Sequence, residues 1–189
     1  MQIVYGNMWD EIGKADLFCV TVNGTVYSNN GTTDRLVMGA GIAGQVEKRI
    51  PSAPFIFGQH IAFFGNPVGV HRGATLFDFG IARPALFVRQ GKSTEVAPVA
   101  RHEMGTKGTT EIVGFQVKHF FNDRADLGLV EKSVALLSKI APTYDRIVLN
   151  FPAIGYGGRD PEHVMPLLET LPDNVVVYRY IDDQRIVDV

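Results

Sequence analysis

Short apolar runs along the chain are separated by polar turns and by segments with helical spacing. The run Asp16–Val22 is apolar, rich in β-branched residues and too short for a helix, which is typical of a strand buried on both faces. Gln2–Tyr5, Arg146–Phe151 and Val175–Tyr180 are short runs of the same kind. We therefore predict a strand in each of the four.

Helical spacing appears in three other segments. Apolar residues recur at every fourth position of Gly39–Ile50 with charged residues between them, which predicts an amphipathic helix that Pro51 ends. Asp126–Ile140 has a similar stripe, and a further helix is expected to start near Pro161, because proline suits the first helical turn. Strands that alternate with helices predict a three-layer α/β fold, here in one domain over residues 1–189.

Two regions have a less regular pattern. Residues 23–34 are rich in Gly, Thr, Asn and Ser and predict a surface loop. Residues 52–110 and their flank contain short β-rich runs broken by Gly and Pro, so we expect an extended β-rich insertion there. The runs are Ile61–Phe64, Thr75–Phe79, Ala85–Arg89, Glu95–Val99 and Glu111–Lys118.

Composition excludes several classes of protein. The chain has 189 residues, 46% of them hydrophobic, and a formal net charge of −2, so no overall positive field attracts it to nucleic acid or to anionic lipid. No apolar run is long enough to cross a membrane, and the N-terminus shows no signal-like segment. We expect a cytoplasmic protein without a general nucleic-acid footprint.

Metal and cysteine chemistry are not expected. The chain has one cysteine and five histidines, and the histidines show none of the spacings typical of zinc sites, so we predict no metal and no cofactor. Cys19 lies inside an apolar strand and is expected to be a core residue. No G-x-S-x-G nucleophile motif and no phosphate-binding G-x-x-x-x-G-K-[ST] motif is present.

Two glycine-rich loops each follow a predicted strand and lead into a predicted helix. They are Met38–Ala43 and Ile154–Gly158. Glycine lets the backbone approach a ligand closely, and the free N–H groups at a helix start favour an anion such as phosphate. Two such loops suggest a diphosphate held between them, although each could also be a simple tight turn.

Gly39, Gly41 and Gly44 also match the dinucleotide-binding pattern G-x-G-x-x-G, but the context does not fit. In that motif the first glycine follows its strand at once, whereas here at least 15 residues separate Val22 from Gly39. No acidic residue lies about 20 positions beyond Gly44 to hold a ribose. A dinucleotide oxidoreductase is therefore only a distant alternative.

The order of these segments resembles the macrodomain family, whose members bind ADP-ribose in an α/β/α module. The resemblance rests on Gly6-Asn7, Asp16–Asn23, Met38–Ala43 and Phe151–Gly158, and Met-Gly-Ala-Gly-Ile-Ala is its specific part. It is greatest to the branch that contains terminal ADP-ribose glycohydrolases, antitoxins that remove ADP-ribose from DNA, and ADP-ribose 1″-phosphate phosphatases. It implies a three-layer α/β/α fold with a mixed central sheet and ADP-ribose across the two loops.

The resemblance also implies roles for individual residues. Asn7 would meet the adenine, Asn23 would orient the distal ribose, and Lys118 stands at the position of the catalytic lysine. Asp160 would handle the proton, while Val20 replaces the first of two asparagines common in the family. The remaining implied ligand-binding residues are Met38, Gly39, Ala40, Gly41, Ile42, Ala43, Ile154, Gly155, Tyr156, Gly157 and Gly158.

The expected activity is hydrolysis that removes ADP-ribose from a modified macromolecule. Lys118 would act at the anomeric carbon of the distal ribose, for which its pKa must be lowered by burial or by a nearby cation. Two alternatives remain open at this point. The same pocket serves readers that bind ADP-ribose without hydrolysing it, and a phosphatase would use the glycine loops to hold the terminal phosphate of ADP-ribose 1″-phosphate.

Overall fold

The computed structural model describes residues 1–28, 33–91 and 95–180. Its main element is a seven-stranded mixed sheet with the order β1-β11-β10-β2-β9-β7-β8. Neighbours from β1 to β9 are parallel, whereas β7 is antiparallel to β9 and to β8. The strands are β1 (Gln2–Tyr5), β2 (Leu17–Asn23), β7 (Ile81–Gln90), β8 (Val96–Pro98), β9 (Thr109–Lys118), β10 (Ile147–Asn150) and β11 (Val175–Arg179).

Four helices cover the two faces of this sheet. They are α1 (Gly41–Arg49), α2 (Ala53–Phe64), α3 (Leu127–Ile140) and α4 (Pro161–Leu168). Strand β2 shows how the layers form, because Phe18 and Val20 pack into the apolar core with α1 and α2, while Leu17 and Cys19 pack into the core with α3 and α4. The predicted three-layer arrangement and mixed central sheet are confirmed.

A second, smaller sheet packs beside α2. It has four antiparallel strands in the order β4-β3-β6-β5. The strands are β3 (Thr25–Ser28), β4 (Asp34–Leu36), β5 (Asn66–His71) and β6 (Ala74–Asp78). The loop predicted for residues 23–34 is therefore wrong in part, because β3 pairs with β6 through Thr25 and Val26.

The strand predicted at Ile61–Phe64 is also wrong, since these residues end helix α2. Pro54 lies in the first helical turn, and Phe57 and Ile61, one turn apart, are fully buried. The insertion around residues 52–110 thus begins with a helix and becomes β-rich only from Asn66 onward. Among the described residues, no helix is both long and apolar enough to cross a membrane.

The parallel part of the main sheet creates a row of adjacent strand ends. Parallel strands point their carboxyl ends to the same edge, and a crevice beyond that edge is where α/β sheets bind ligands. From β1 to β9 there are four strand-to-strand steps, or about 19 Å at about 4.8 Å each. Both glycine-rich loops and the end of β9 lie at this edge.

Gly58 provides a test of the contact between helix α2 and the second sheet. A Cβ atom there would lie 2.6 Å from the carbonyl carbon of Asp34 and 2.8 Å from the Cα of Arg35 in β4. Gly58→Ala should lower the free energy of unfolding by about 1–3 kcal/mol, although alanine is the better helix former.

Urea unfolding followed by circular dichroism measures the effect. Gly69→Ala, in the exposed strand β5 with no heavy atom within 4 Å of the added Cβ, is the control and should change stability by less than about 0.5 kcal/mol. A Gly58→Ala variant as stable as the unmodified protein would contradict the close packing of α2 on β4.

Candidate functional site

A cavity of about 850 Å³ lies along the carboxyl ends of the parallel strands. It is within the usual size range of small-molecule sites. Thirteen of the fifteen residues predicted from the sequence line it. They are Asn7, Asn23, Met38, Gly39, Ala40, Gly41, Ile42, Ala43, Lys118, Ile154, Gly155, Tyr156 and Gly157.

The first glycine-rich loop supplies the start of helix α1. Ala40 is the N-cap and makes no side-chain capping bond, so the N–H groups of Gly41, Ile42 and Ala43 remain available to a ligand. Gly41 has a φ of +57°, a conformation that favours glycine. Together with the positive end of the helix dipole, these amides form an anion-binding surface.

In the second glycine-rich loop, every backbone carbonyl from 153 to 158 accepts a hydrogen bond. Each accepts a specific donor: Arg159 N–H on Ala153, Gly157 N–H on Ile154, Gly158 N–H on Gly155, Lys118 Nζ on Tyr156, Ala125 N–H on Gly157 and the Arg124 guanidinium on Gly158. In contrast, the N–H groups of residues 153–156 have no acceptor among the described residues. The loop is therefore a row of amide donors.

This geometry needs unusual backbone conformations. Ala153 has a φ of +64°, although it carries a side chain, and Gly155 and Gly158 have φ values of +58° and +66°. A non-glycine residue in this region is strained, and such strain persists only where the surroundings hold it in place. Ala153 is buried, and its carbonyl accepts the Arg159 N–H at 3.0 Å.

Residues 124 and 125, in the segment after β9, form hydrogen bonds with residues 157–159 of the second loop, and we call this set of contacts the clasp. Arg159 Nε donates to the carbonyl of Ala125 at 2.6 Å, and Arg124 Nε donates to the carbonyl of Gly158 at 3.1 Å. The Ala125 N–H also donates to the carbonyl of Gly157 at 2.8 Å. Each segment thus supplies an arginine that binds the backbone of the other.

Lys118, at the end of β9, also binds the second glycine-rich loop and the segment after β9. Its Nζ donates to the carbonyls of Asp123 at 2.7 Å and Tyr156 at 3.1 Å, and the side chain is buried. Two of the three positions around Nζ are thereby used, and one is left for a ligand. Burial lowers the pKa of the Lys118 ammonium, and the Asp123 carboxylate opposes that shift.

Asn23 lies beside Lys118, with which it is paired in the β2–β9 register. Its Nδ2 donates to the carbonyl of Val37 at 2.7 Å, and its Oδ1 accepts the Thr25 N–H at 2.9 Å. The side chain therefore holds the residue that precedes the first glycine-rich loop. Val20 is fully buried in the core with α1 and α2 and does not line the cavity.

Two predicted residues lie outside the cavity. Gly158 does not line it, and its carbonyl is held by Arg124. Asp160 also lies outside, since it precedes helix α4 with a side chain that is 76% exposed and 3.7 Å from His163. This placement gives Asp160 no contact through which it could pass a proton within the cavity.

Comparison with solved structures identifies the fold. Thermosipho africanus DarTG in complex with ADP-ribose aligns with a TM-score of 0.59 at 16% identity, over 98% of this chain and 43% of that one. The DarG macrodomains of Mycobacterium tuberculosis and Thermus aquaticus align with TM-scores of 0.54, at 21% and 19% identity, over 94% and 95% of this chain and 97% of each of theirs. The chain has the macrodomain fold.

The resemblance noted in the sequence is thus confirmed at the level of the fold. The chain spans less than half of the DarTG chain and nearly the whole of each DarG macrodomain. No protein-family model and no curated protein sequence matches the chain.

Several cavity residues of this chain were not found by sequence reasoning. Asn150 was placed inside a strand, yet its Nδ2 and Oδ1 bond to Thr21. The polar end of an otherwise apolar strand is the signal that could have revealed it. The other polar or aromatic residues missed are Trp9, Thr21, Gln45, Phe121, Asn122, Phe151, Tyr178 and Tyr180.

The end of the cavity at β1 is built differently from the loops. Asn7 caps a short 3-10 helix, and Trp9 packs on Phe18 with the Arg49 guanidinium 4.2 Å above its ring. Below them, Glu11 binds Arg146 and Tyr178, and the Arg146 contact holds the pKa of the Glu11 carboxyl below its usual range.

The described part of the chain contains no cluster of His, Cys, Asp and Glu that would hold a metal ion.

Cys19 is completely buried, and this burial raises the pKa of its thiol far above the ordinary value. Its position in the core is the one expected from the sequence.

The clasp predicts local rather than global effects of mutation. Arg159→Ala removes the side-chain bond from the end of the second loop to the Ala125 carbonyl and should speed exchange of the hydrogen-bonded amides at residues 157–159 at least about tenfold, while exchange in α3 stays unchanged. Hydrogen–deuterium exchange with mass spectrometry measures both. Arg89→Ala, which breaks an exposed ion pair with Glu103 outside the cavity, is the control. Unchanged exchange in the Arg159 variant would show that Arg159 does not hold the loop.

Proposed function

We propose that residues 1–189 form one macrodomain that binds ADP-ribose and hydrolyses its link to a modified macromolecule. The observation that supports this most strongly is the pair of unbonded amide rows, one on each glycine-rich loop, with Lys118 beside them in one elongated cavity. Amides and a lysine suit a diphosphate, and a span of about 19 Å suits a ligand with a sugar at each end of that diphosphate.

The cavity gives each part of the ligand a place. The diphosphate would lie against the free amides of the two loops, beside Gly41 and Tyr156. The base would occupy the aromatic end near Trp9. The distal ribose would then face Lys118 and Asn23, which lie together at the ends of β9 and β2.

Lys118 is placed to act on the anomeric carbon of that ribose. Its two carbonyl contacts leave one tetrahedral position, and a lowered pKa increases the share of neutral amine whose lone pair fills that position. Nζ would form a bond to the carbon as the bond to the macromolecule breaks, which gives a protonated glycosylamine. Cleavage of the bond between that carbon and the ring oxygen, with transfer of a proton from the nitrogen to that oxygen, would open the ribose to an imine. Water would then hydrolyse the imine, which returns the amine and releases ADP-ribose.

The same cavity limits how the leaving group departs. Among the described residues, none that lines it carries a carboxylate or an imidazole. The leaving group would therefore take its proton from water or depart as an anion. This observation also favours the second candidate function, a reader that binds ADP-ribose without turnover.

The cysteine content bears on the cellular compartment. The single buried Cys19 supports a reducing compartment, and we place the protein in the cytoplasm. Its expected partners are ADP-ribose and ADP-ribosylated macromolecules.

Ligand binding is the first test. ADP-ribose should bind at least about tenfold more tightly than AMP, because AMP lacks the second phosphate and the distal ribose. Isothermal titration calorimetry measures both affinities. Gly41→Val should lower the ADP-ribose affinity at least about tenfold, since a β-branched residue strains the backbone at a φ of +57° and costs about 1–3 kcal/mol.

The control for that variant is Gly69→Val, where the added side chain meets open space. It should leave ADP-ribose binding unchanged. Equal affinities for ADP-ribose and AMP would reject the proposed ligand.

Catalysis is tested separately on mono-ADP-ribosylated protein, ADP-ribosylated DNA and ADP-ribose 1″-phosphate. Lys118→Ala should reduce turnover at least about a hundredfold while ADP-ribose affinity falls less than about tenfold, because the loop amides carry most of the binding. Product release is followed by chromatography, and borohydride should trap a covalent adduct on Lys118 in the unmodified protein.

Other outcomes assign other functions. No turnover of any substrate by the unmodified protein would indicate a reader. Release of phosphate that persists in Lys118→Ala would indicate a phosphatase. Lys139→Ala, near the end of α3 and outside the cavity, is the matched lysine control.

A further inference from the structure

The end of the cavity at β1 contains two side-chain amides whose orientation is set by their neighbours. Asn7 Oδ1 accepts the Trp9 backbone N–H at 3.2 Å, and Asn7 Nδ2 donates to Asp10 Oδ1 at 3.4 Å. Gln45 Oε1 accepts the indole N–H of Trp9 at 2.6 Å. Both amides line the cavity.

Each neighbour permits only one orientation. The Trp9 indole N–H can only donate, so the Gln45 oxygen must face it and the Gln45 NH₂ group is left for a ligand. The Trp9 backbone N–H also only donates, and a carboxylate only accepts, so the amide of Asn7 is oriented by both. One hydrogen on Asn7 Nδ2 then remains free.

The group that sets these orientations is held firmly. Trp9 is 7% exposed, its ring lies 4.9 Å from that of Phe18, and the Arg49 guanidinium covers it. The hydroxyl of Tyr178, which also lines this end, donates to Glu11 at 2.6 Å. Asn7 and Gln45 therefore keep free N–H donors, while each of their amide oxygens already accepts one hydrogen bond from Trp9.

We propose that this end of the cavity recognises hydrogen-bond acceptors on the ligand's base and does not require the 6-amino group of adenine. The inference rests on the proposed function. Adenine offers ring nitrogens to these donors, but its amino group can only donate and would have to share an amide oxygen that already accepts a Trp9 N–H. Hypoxanthine carries a keto oxygen at that position, beside the ring nitrogen N7, and both can accept. The site should thus accept a hypoxanthine nucleotide as readily as an adenine nucleotide.

The test compares ADP-ribose with inosine diphosphate ribose, which differs only in the base, by calorimetry on the full chain. The expected affinities agree within about threefold or favour the inosine compound. A preference of the unmodified protein for ADP-ribose greater than about threefold would overturn the inference. Failure to bind either compound would reject the proposed function and the inference with it.

Gln45→Glu gives an independent readout. The carboxylate can still accept the indole N–H of Trp9, but it replaces the free NH₂ donor with an acceptor. The affinity for the inosine compound should fall at least about tenfold relative to that for ADP-ribose, whose amino group can now donate. An unchanged ratio would show that Gln45 does not contact the base.

The matched control is Gln59→Glu. It makes the same change of charge on the exposed surface of α2, outside the cavity. This variant should leave the ratio of the two affinities unaltered, which separates a contact with the base from a general effect of added negative charge.

Discussion

The second glycine-rich loop depends on one constraint, namely that every backbone carbonyl from Ala153 to Gly158 accepts a hydrogen bond within the protein. A peptide unit that fixes its carbonyl in one direction directs its N–H in roughly the opposite direction. The unbonded N–H groups of residues 154–156 share peptide units with the bonded carbonyls of residues 153–155, so that arrangement fixes their direction. Lys118 and the two arginines of the clasp thus shape the site, although the arginines do not line the cavity.

The position of the first glycine-rich loop depends on a different contact, which also connects it to Lys118. Asn23, at the end of β2, holds the carbonyl of Val37, and β2 is also the strand that pairs with β9. The position of the first loop is thereby tied to that of Lys118 through one pair of strands. Any shift between β2 and β9 would separate the amides of α1 from the lysine.

Sequence patterns predicted the elements that have a clear apolar signature and missed those without one. Helix α3 was predicted from its apolar stripe, and strand β2 from a continuous apolar run too short for a helix. Helix α2 is apolar on nearly every side, including the exposed Phe63 and Phe64, so no stripe marks it as helical. Strand β5 is exposed at every position, so it has no alternation of buried and exposed residues that would mark it as a strand.

The candidate site was predicted where glycine spacing marks the loops, and less well where tertiary contacts decide. The clasp by Arg124 and Arg159 joins side chains to backbone carbonyls, which carry no signature in the sequence. The role of Asp160 was implied only by the resemblance, and the structure puts its side chain in solvent. The orientation of Gln45 required knowing that it meets Trp9, 36 residues away.

A binding surface made of main-chain amides is specified by the path of the backbone, and most side chains in its loops can change while every donor is retained. Selection for the ligand then acts on few positions, chiefly those that need a glycine or that clamp a carbonyl. A surface of this kind tolerates change in the surrounding sequence as the fold itself does, which is detectable here at 16–21% identity where no family model matches.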